Sequence, residues 1–213
     1  MVLKRTVVVV EDEDLLRSLI SDSLERAGFE VASAANAADA RRVIHSVDPD
    51  AVLLDIDLGT GPTGFDIAEV LRRQSPEIGI VFLTSMPDPR FIDGDHKVPS
   101  NEGYLSKSLV TESKLVVDAL EAVLTETGIE DFRHDELSDR PFAKLSRTQI
   151  QVLSLLAEGK TNQQIADARQ RSLGATESAV ARTLEAIGIT GETLMNTRVA
   201  AARKYLSVIR PHR

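Results

Sequence analysis

Short apolar runs that end abruptly on polar side chains set the fold of the first half of the chain. Thr6–Val10 contains four consecutive valines and is closed by Glu11 and Asp12. Ala51–Leu54 ends at Asp55, Gly79–Leu83 at Thr84, and the short Gly103–Leu105 shortly before Lys107. Phe29–Ala34 reads as one further strand. Between these runs lie helical patterns. Leu15, Leu16, Leu19, Ile20 and Leu24 follow helical spacing and Gly28 ends them; Asn36 is placed to cap a helix through Val47. Phe65–Gln74 and Thr111–Thr125 read as two more. Strands that are apolar throughout, alternating with helices, belong to a parallel sheet covered on both faces.

One connecting helix is absent from this pattern. Between Thr84 and Tyr104 stand Pro87, Pro89, Gly94 and Pro99, so the stretch is expected to be a loop or a single turn.

Charge divides the 213-residue chain. Residues 1–143 carry 14 basic against 28 acidic side chains, a net −14, whereas residues 144–213 carry 11 against 5, a net +6. Such asymmetry predicts two domains with different partners. The expected boundaries are a first domain over 1–125, a polar linker over 126–143 and a helical domain over 144–213. Ser146 with Gln149 and Thr161 with Gln164 match capping boxes, and Gly159 and Gly188 stand at C-cap positions. These signals predict helices near 146–158, 161–170, 175–187 and 192–207. With no cysteine, thiol catalysis and Cys-ligated zinc are excluded. No apolar run approaches a membrane span of about 18 residues, and Met1–Arg5 leads straight into a strand without a signal-peptide pattern, so the expected location is cytoplasmic.

The carboxyl ends of parallel strands share one edge of their sheet, where ligands bind. Glu11, Asp12 and Asp55 therefore converge, and crowded carboxylates repel one another unless a cation joins them. Oxygen donors of this kind suit Mg²⁺. A metal beside Asp55 would leave its carboxylate free as a nucleophile toward a phosphoryl group, with Lys107 and the Thr84 hydroxyl as further partners of that group.

The segments Val7–Glu13, Val52–Asp55, Val81–Ser85 and Gly103–Lys107 together resemble the receiver domain of two-component response regulators. The resemblance implies a flavodoxin-like, doubly wound five-stranded parallel sheet, phosphorylation of Asp55 by a partner histidine kinase, and Mg²⁺ held by Glu11, Asp12, Asp55 and the backbone carbonyl of Asp57. It implies a switch pair, Thr84 and Tyr104, and a phosphate-binding lysine, Lys107. Two departures stand out: the loop Ile56–Gly64 is one residue longer than usual, and the helix after the fourth strand is broken.

Leu145–Leu153, Leu155–Gly159 and Thr161–Ala166, continuing through Val180, Leu184, Ile187 and Gly188, resemble the LuxR-type helix-turn-helix of NarL/FixJ-type regulators. The implied function is transcription control through DNA, bound as a homodimer. Lys160, Asn162, Arg169, Arg171, Ser178, Arg182 and Arg198 are the candidate DNA contacts. In the recognition position, Glu177, Ser178, Ala179, Ala181, Arg182, Glu185 and Ala186 are expected to face outward. The acids on that face motivate an alternative, a phosphorylation-dependent module that binds a protein through this domain. An aspartyl-nucleophile phosphatase using Asp57 as its acid is a third possibility, disfavoured by the acid pair and the appended helical domain, so the chain is expected not to be an enzyme.

Overall fold

The computed structural model describes residues 4–92, 94, 96–189 and 194–209, the side chains of 194–196 apart. The chain forms two compact units, Met1–Thr84 with Lys97–Asp135, and Ser85–His96 with Glu136–Arg213.

In the first unit, β1 (Thr6–Val10), β2 (Glu30–Ala34), β3 (Ala51–Leu54), β4 (Gly79–Thr84) and β5 (Gly103–Ser106) form one parallel sheet in the order β2-β1-β3-β4-β5. This is the flavodoxin-like doubly wound order, with its topological switch between β1 and β3. The strands alternate helices with α1 (Asp14–Arg26), α2 (Ala37–Val47), α3 (Gly64–Gln74) and α4 (Ser113–Thr125). Side chains alternate across each strand. Val7, Val9, Leu53, Val81 and Leu105 accordingly pack in one cluster with Ile20 and Leu24 of α1 and Val116 and Leu120 of α4. On α1 only Ile20 and Leu24 are fully buried; Leu15 is 67% and Leu19 55% exposed. Phe82 meets Phe65 of α3, ring centroids 4.7 Å apart.

The helix starts follow local chemistry. Asn36 accepts from the Asp39 amide at 3.0 Å, and Thr63 and Asp66 form a reciprocal capping box. Among the described residues between β4 and β5, the one helical element is a 3-10 turn, Pro89–Phe91. This is the single turn that the prolines permit.

The linker differs from its expected extent. Ile129–Phe132 and His134–Glu136 are 3-10 turns, Ile129 is buried in the core of the first unit, and a bridge pairs Arg133 with Tyr104 of β5. The chain therefore stays with the first unit as far as Asp135.

The second unit consists of α5 (Arg147–Ala157), α6 (Asn162–Ala168), α7 (Leu173–Ala186) and α8 (Leu194–Ile209). The start of the expected last helix, at 192 and 193, lies outside the described residues. Both expected capping boxes form, at Ser146/Gln149 and Thr161/Gln164. Ile150, Leu153, Ile165, Val180, Leu184 and Tyr205 are among the core residues. Among the described residues, no helix is long and apolar enough to cross a membrane.

Candidate functional site

The sheet ladder continues one residue beyond three strands and fixes the site. The Glu11 amide donates to Ala34 O at 3.1 Å, the Asp55 amide to Val10 O at 2.8 Å, and the Lys107 amide to Thr84 O at 2.8 Å. Each residue leaves its strand on the same edge, so side chains 96 positions apart in sequence meet. Glu11, Asp12 and Asp55 offer carboxylate oxygens within 4.8 Å of one another. Glu11 and Asp55 are buried and Asp12 is exposed. Lys107 Nζ lies 2.6 Å from Asp55 Oδ2 and 2.7 Å from Glu11 Oε2.

Burial, followed by the charge of Asp55, pushes the Glu11 carboxyl up to about 7. Burial also raises Asp55, against the opposing pull of Lys107. For Lys107, burial alone would lower the ammonium pKa, but the two carboxylates outweigh it and raise it. The three acids thus form a cluster able to hold a cation, with Lys107 contributing positive charge to its two buried members. The donor set fits a hard divalent ion, which needs only one or two carboxylates and keeps its remaining ligands as water.

Asp57 is exposed. Its amide donates to Asp55 Oδ1 at 3.2 Å, and its carboxylate accepts from the Gly59 amide at 3.3 Å. Thr84 and Tyr104 are both fully buried, and the Tyr104 ring lies 6.1 Å from that of Phe82. At the outer edge of β5 the Ser106 amide donates to His134 Nδ1 at 3.0 Å, which requires an imidazole that is not protonated there. Burial lowers the His134 pKa and favours that form, opposed by the charge of Asp135.

The loop after Asp55 is closed by a residue absent from the sequence-based expectations. Gly64 donates to Ile56 O at 3.0 Å, and a Cβ at Gly64 would lie 2.2 Å from Asp55 O. Backbone cannot yield as a flexible side chain can. Gly64→Ala will therefore displace Asp55 and destabilise the chain by about 1–3 kcal/mol. The check is a chemical denaturation midpoint beside the rate of Asp55 modification, and a variant matching the parent in both would contradict it. A glycine at the start of the helix that follows the Asp55 loop was the available signal.

The helical unit brings only some of the candidate DNA contacts onto an open face. On α7, Glu177, Ser178, Ala181, Arg182, Glu185 and Ala186 are exposed, but Ala179 is buried, contrary to expectation. The helix begins at Leu173, capped by Ser172, and its buried stripe is Thr176, Ala179, Val180, Thr183 and Leu184. The two threonines hide part of that stripe from an apolar pattern. Ser178 Oγ donates to Gly174 O at 3.0 Å. Arg198 donates to Asn162 Oδ1 at 2.8 Å and to Lys160 O, while Lys160 Nζ pairs with Glu158 at 3.3 Å. Arg198 and Asn162 thus tie α8 to the start of α6. Arg171 is exposed and Arg169 half-buried, and burial lowers the Arg169 pKa with Arg171 adding to the effect.

Comparison with known proteins agrees with both halves. A family model described as the response regulator receiver domain matches residues 7–121, and one described as bacterial regulatory proteins, luxR family, matches 143–184. The chain is 30% identical over 179 residues to the phosphate regulon transcriptional regulatory protein PhoB of Pseudomonas aeruginosa, covering 81% of this chain and 69% of that one. It is 24% identical over 214 residues to the transcriptional regulatory protein LiaR of Bacillus subtilis, covering 94% and 98%. It shares its fold with RcsB from Salmonella enterica serovar Typhimurium, solved bound to a promoter in the presence of phosphomimetic BeF3-, with a TM-score of 0.56, 18% identity and coverage of 97% and 100%. The strand-end acids, the five-stranded sheet and the capped helices of the second unit all meet in this match, and the chain belongs to the response regulators that join a receiver domain to a LuxR-type helix-turn-helix domain.

Proposed function

We propose that Asp55 accepts a phosphoryl group from a cognate histidine kinase in the cytoplasm, and that this modification controls transcription through the basic helical unit, bound to DNA as a homodimer. The observation that carries the reading is the convergence of Glu11, Asp12 and Asp55 on one sheet edge with Lys107 across them. Glu11, Asp12, Asp55 and the Asp57 backbone carbonyl would hold Mg²⁺, whose role is to neutralise charge on the transferring group. An Asp55 carboxylate oxygen forms the new bond to phosphorus as the bond to the kinase imidazole nitrogen breaks. Lys107 then releases one carboxylate and pairs with a phosphoryl oxygen, and the Thr84 hydroxyl donates to another. Thr84 and Tyr104 carry the change into the fold as the switch pair.

The test is exposure to a small-molecule phosphodonor with Mg²⁺, read by intact mass. The parent chain gains one phosphoryl group; Asp55→Ala and a magnesium-depleted sample do not. A gain that persists in Asp55→Ala moves the acceptor elsewhere, and no gain in the parent with any donor removes the reading. The relatives are named transcriptional regulators, which supports DNA as the partner of the helical unit over a protein.

A further inference from the structure

The segment that follows Thr84 is receiver in sequence but belongs to the other unit in structure. The chain leaves the first unit after Thr84, returns at Lys97 and leaves again after Asp135. Three features seat Ser85–His96 in the helical unit. Phe91 packs against the helical core, stacked on Tyr205 of α8 with centroids 5.9 Å apart and tilted on Phe142 at 6.0 Å. Arg90 donates to Phe142 O and Ala143 O, both at 3.4 Å, and to Leu145 O, the carbonyls that lead into α5. Arg147, the first residue of α5, donates back to Gly94 O and to His96 O.

An ion network holds the turn itself. Asp88 is 1% exposed and accepts from the Arg90 amide at 2.9 Å, from Arg90 Nε at 2.8 Å and from Arg140 Nε at 2.9 Å. Burial alone would raise the Asp88 pKa, but the bonds from Arg90 and Arg140 outweigh it, so the carboxylate is held ionised. Only Ser85, Met86 and Pro87 separate Asp88 from Thr84. With φ fixed at Pro87, that tether has few rotations with which to absorb a shift.

We propose that Ser85–His96 is a transmission arm, a piece of receiver sequence that completes the helical unit and whose seat loosens when Thr84 is drawn toward a phosphoryl group on Asp55. The proposal rests on Asp55 being the acceptor. The broken helix then has a use, since a regular helix would keep these residues on the sheet. In this arrangement the Arg90 bonds to the lead-in of α5 make the arm a brace for the first helix of the DNA-binding unit, and phosphorylation releases the brace.

Amide hydrogen exchange on the full-length chain tests it in two parts. Phe91→Ala, with Phe91→Leu as the milder variant, speeds exchange in 85–92 and at the start of α5, while α4 keeps the parent rate and so reports an intact receiver. Unchanged exchange in 85–92 and α5 in both variants overturns the arm as a component of the helical unit. Phosphodonor and Mg²⁺, with the mass gain verified on the same sample, speed exchange in the same segments by about five- to a hundredfold, the usual range of coupling between two sites, and Thr84→Ala abolishes that response. A chain that gains the phosphoryl group with exchange unchanged overturns the coupling. A chain whose mass never rises overturns the acceptor assignment and the coupling with it, and the Phe91 variants still decide the seat.

Discussion

Lys107→Ala will abolish rapid phosphoryl transfer to Asp55 and will lower the stability of the magnesium-free chain by about 3 kcal/mol at pH 8, the low end of what losing one partner of a buried ion pair costs. Lys107 is the cation that both Glu11 and Asp55 touch, at 2.7 and 2.6 Å. Its loss leaves two buried carboxylates facing each other, and they can relieve the repulsion only by taking up a proton or a metal. The sign of the pH dependence follows from Glu11. Its folded pKa of about 7 already lies above the ordinary 4.5, so ionising it costs stability as pH rises from 4.5 to about 7. Without Lys107 the folded pKa climbs further, and the variant goes on losing stability to higher pH than the parent does. Lys107's own contribution is present throughout, because its folded pKa lies above 10.5 and its loss begins only there. The gap between parent and variant therefore widens from pH 5 to pH 8. Millimolar Mg²⁺ narrows it, since an ion that binds only the folded state stabilises that state by mass action. Denaturant titrations at the two pH values, with and without Mg²⁺, check this. A gap independent of both would mean that Lys107 does not neutralise the pair.

The sheet and its site were legible in the sequence because each reports itself locally. A buried parallel strand is apolar at every position, and the polar residue that ends it marks where the ligand edge begins, as at Val10–Glu11 and Leu54–Asp55. Caps were legible for the same reason: Asn36–Asp39, Ser146–Gln149 and Thr161–Gln164 close their bonds within four residues. Long-range polar pairing leaves no such mark. Arg133 and Asp135, a bidentate buried pair bound also to Pro99 O and Val98 O, looked like ordinary linker charges. Arg140, 52 residues from its partner Asp88, looked the same. The prolines predicted a single turn after β4, and among the described residues a 3-10 turn is what forms. They could not show where the resulting coil docks, because Phe91 is a lone aromatic with no period around it. On α7 the phase of the buried face was hidden by Thr176 and Thr183. A helical threonine can bury its hydroxyl by donating to a carbonyl one turn back, as Thr183 does to Ala179 O at 2.8 Å.

Arg182→Ala will weaken binding to a site selected from random-sequence duplex DNA by about ten- to a hundredfold, whereas Arg198→Ala will leave sequence preference intact and lower the melting temperature instead. On the exposed face of α7, Arg182 stands with Glu177, Glu185, two alanines and a serine whose hydroxyl is already bonded to Gly174 O. One well-placed base-edge contact discriminates by about 1–3 kcal/mol, and here Arg182 is the cation able to make it, with no ion pair to it among the described residues. Loss of its charge also reduces the slope of log affinity against log salt by about one, as for a single phosphate neutralised. Arg198 differs because its guanidinium is engaged within the unit, on Asn162 Oδ1 and Lys160 O. Removing it unpins α6 from α8 without touching the exposed face of α7. Glu185→Gln, which removes a carboxylate one helical turn from Arg182, acts in the opposite direction and tightens binding at low salt. Fluorescence anisotropy against the selected duplex across a salt series separates the three variants. Equal affinity for the parent and Arg182→Ala, or a loss of binding that Arg198→Ala reproduces with its fold intact, would show that the duplex is read by a surface other than α7.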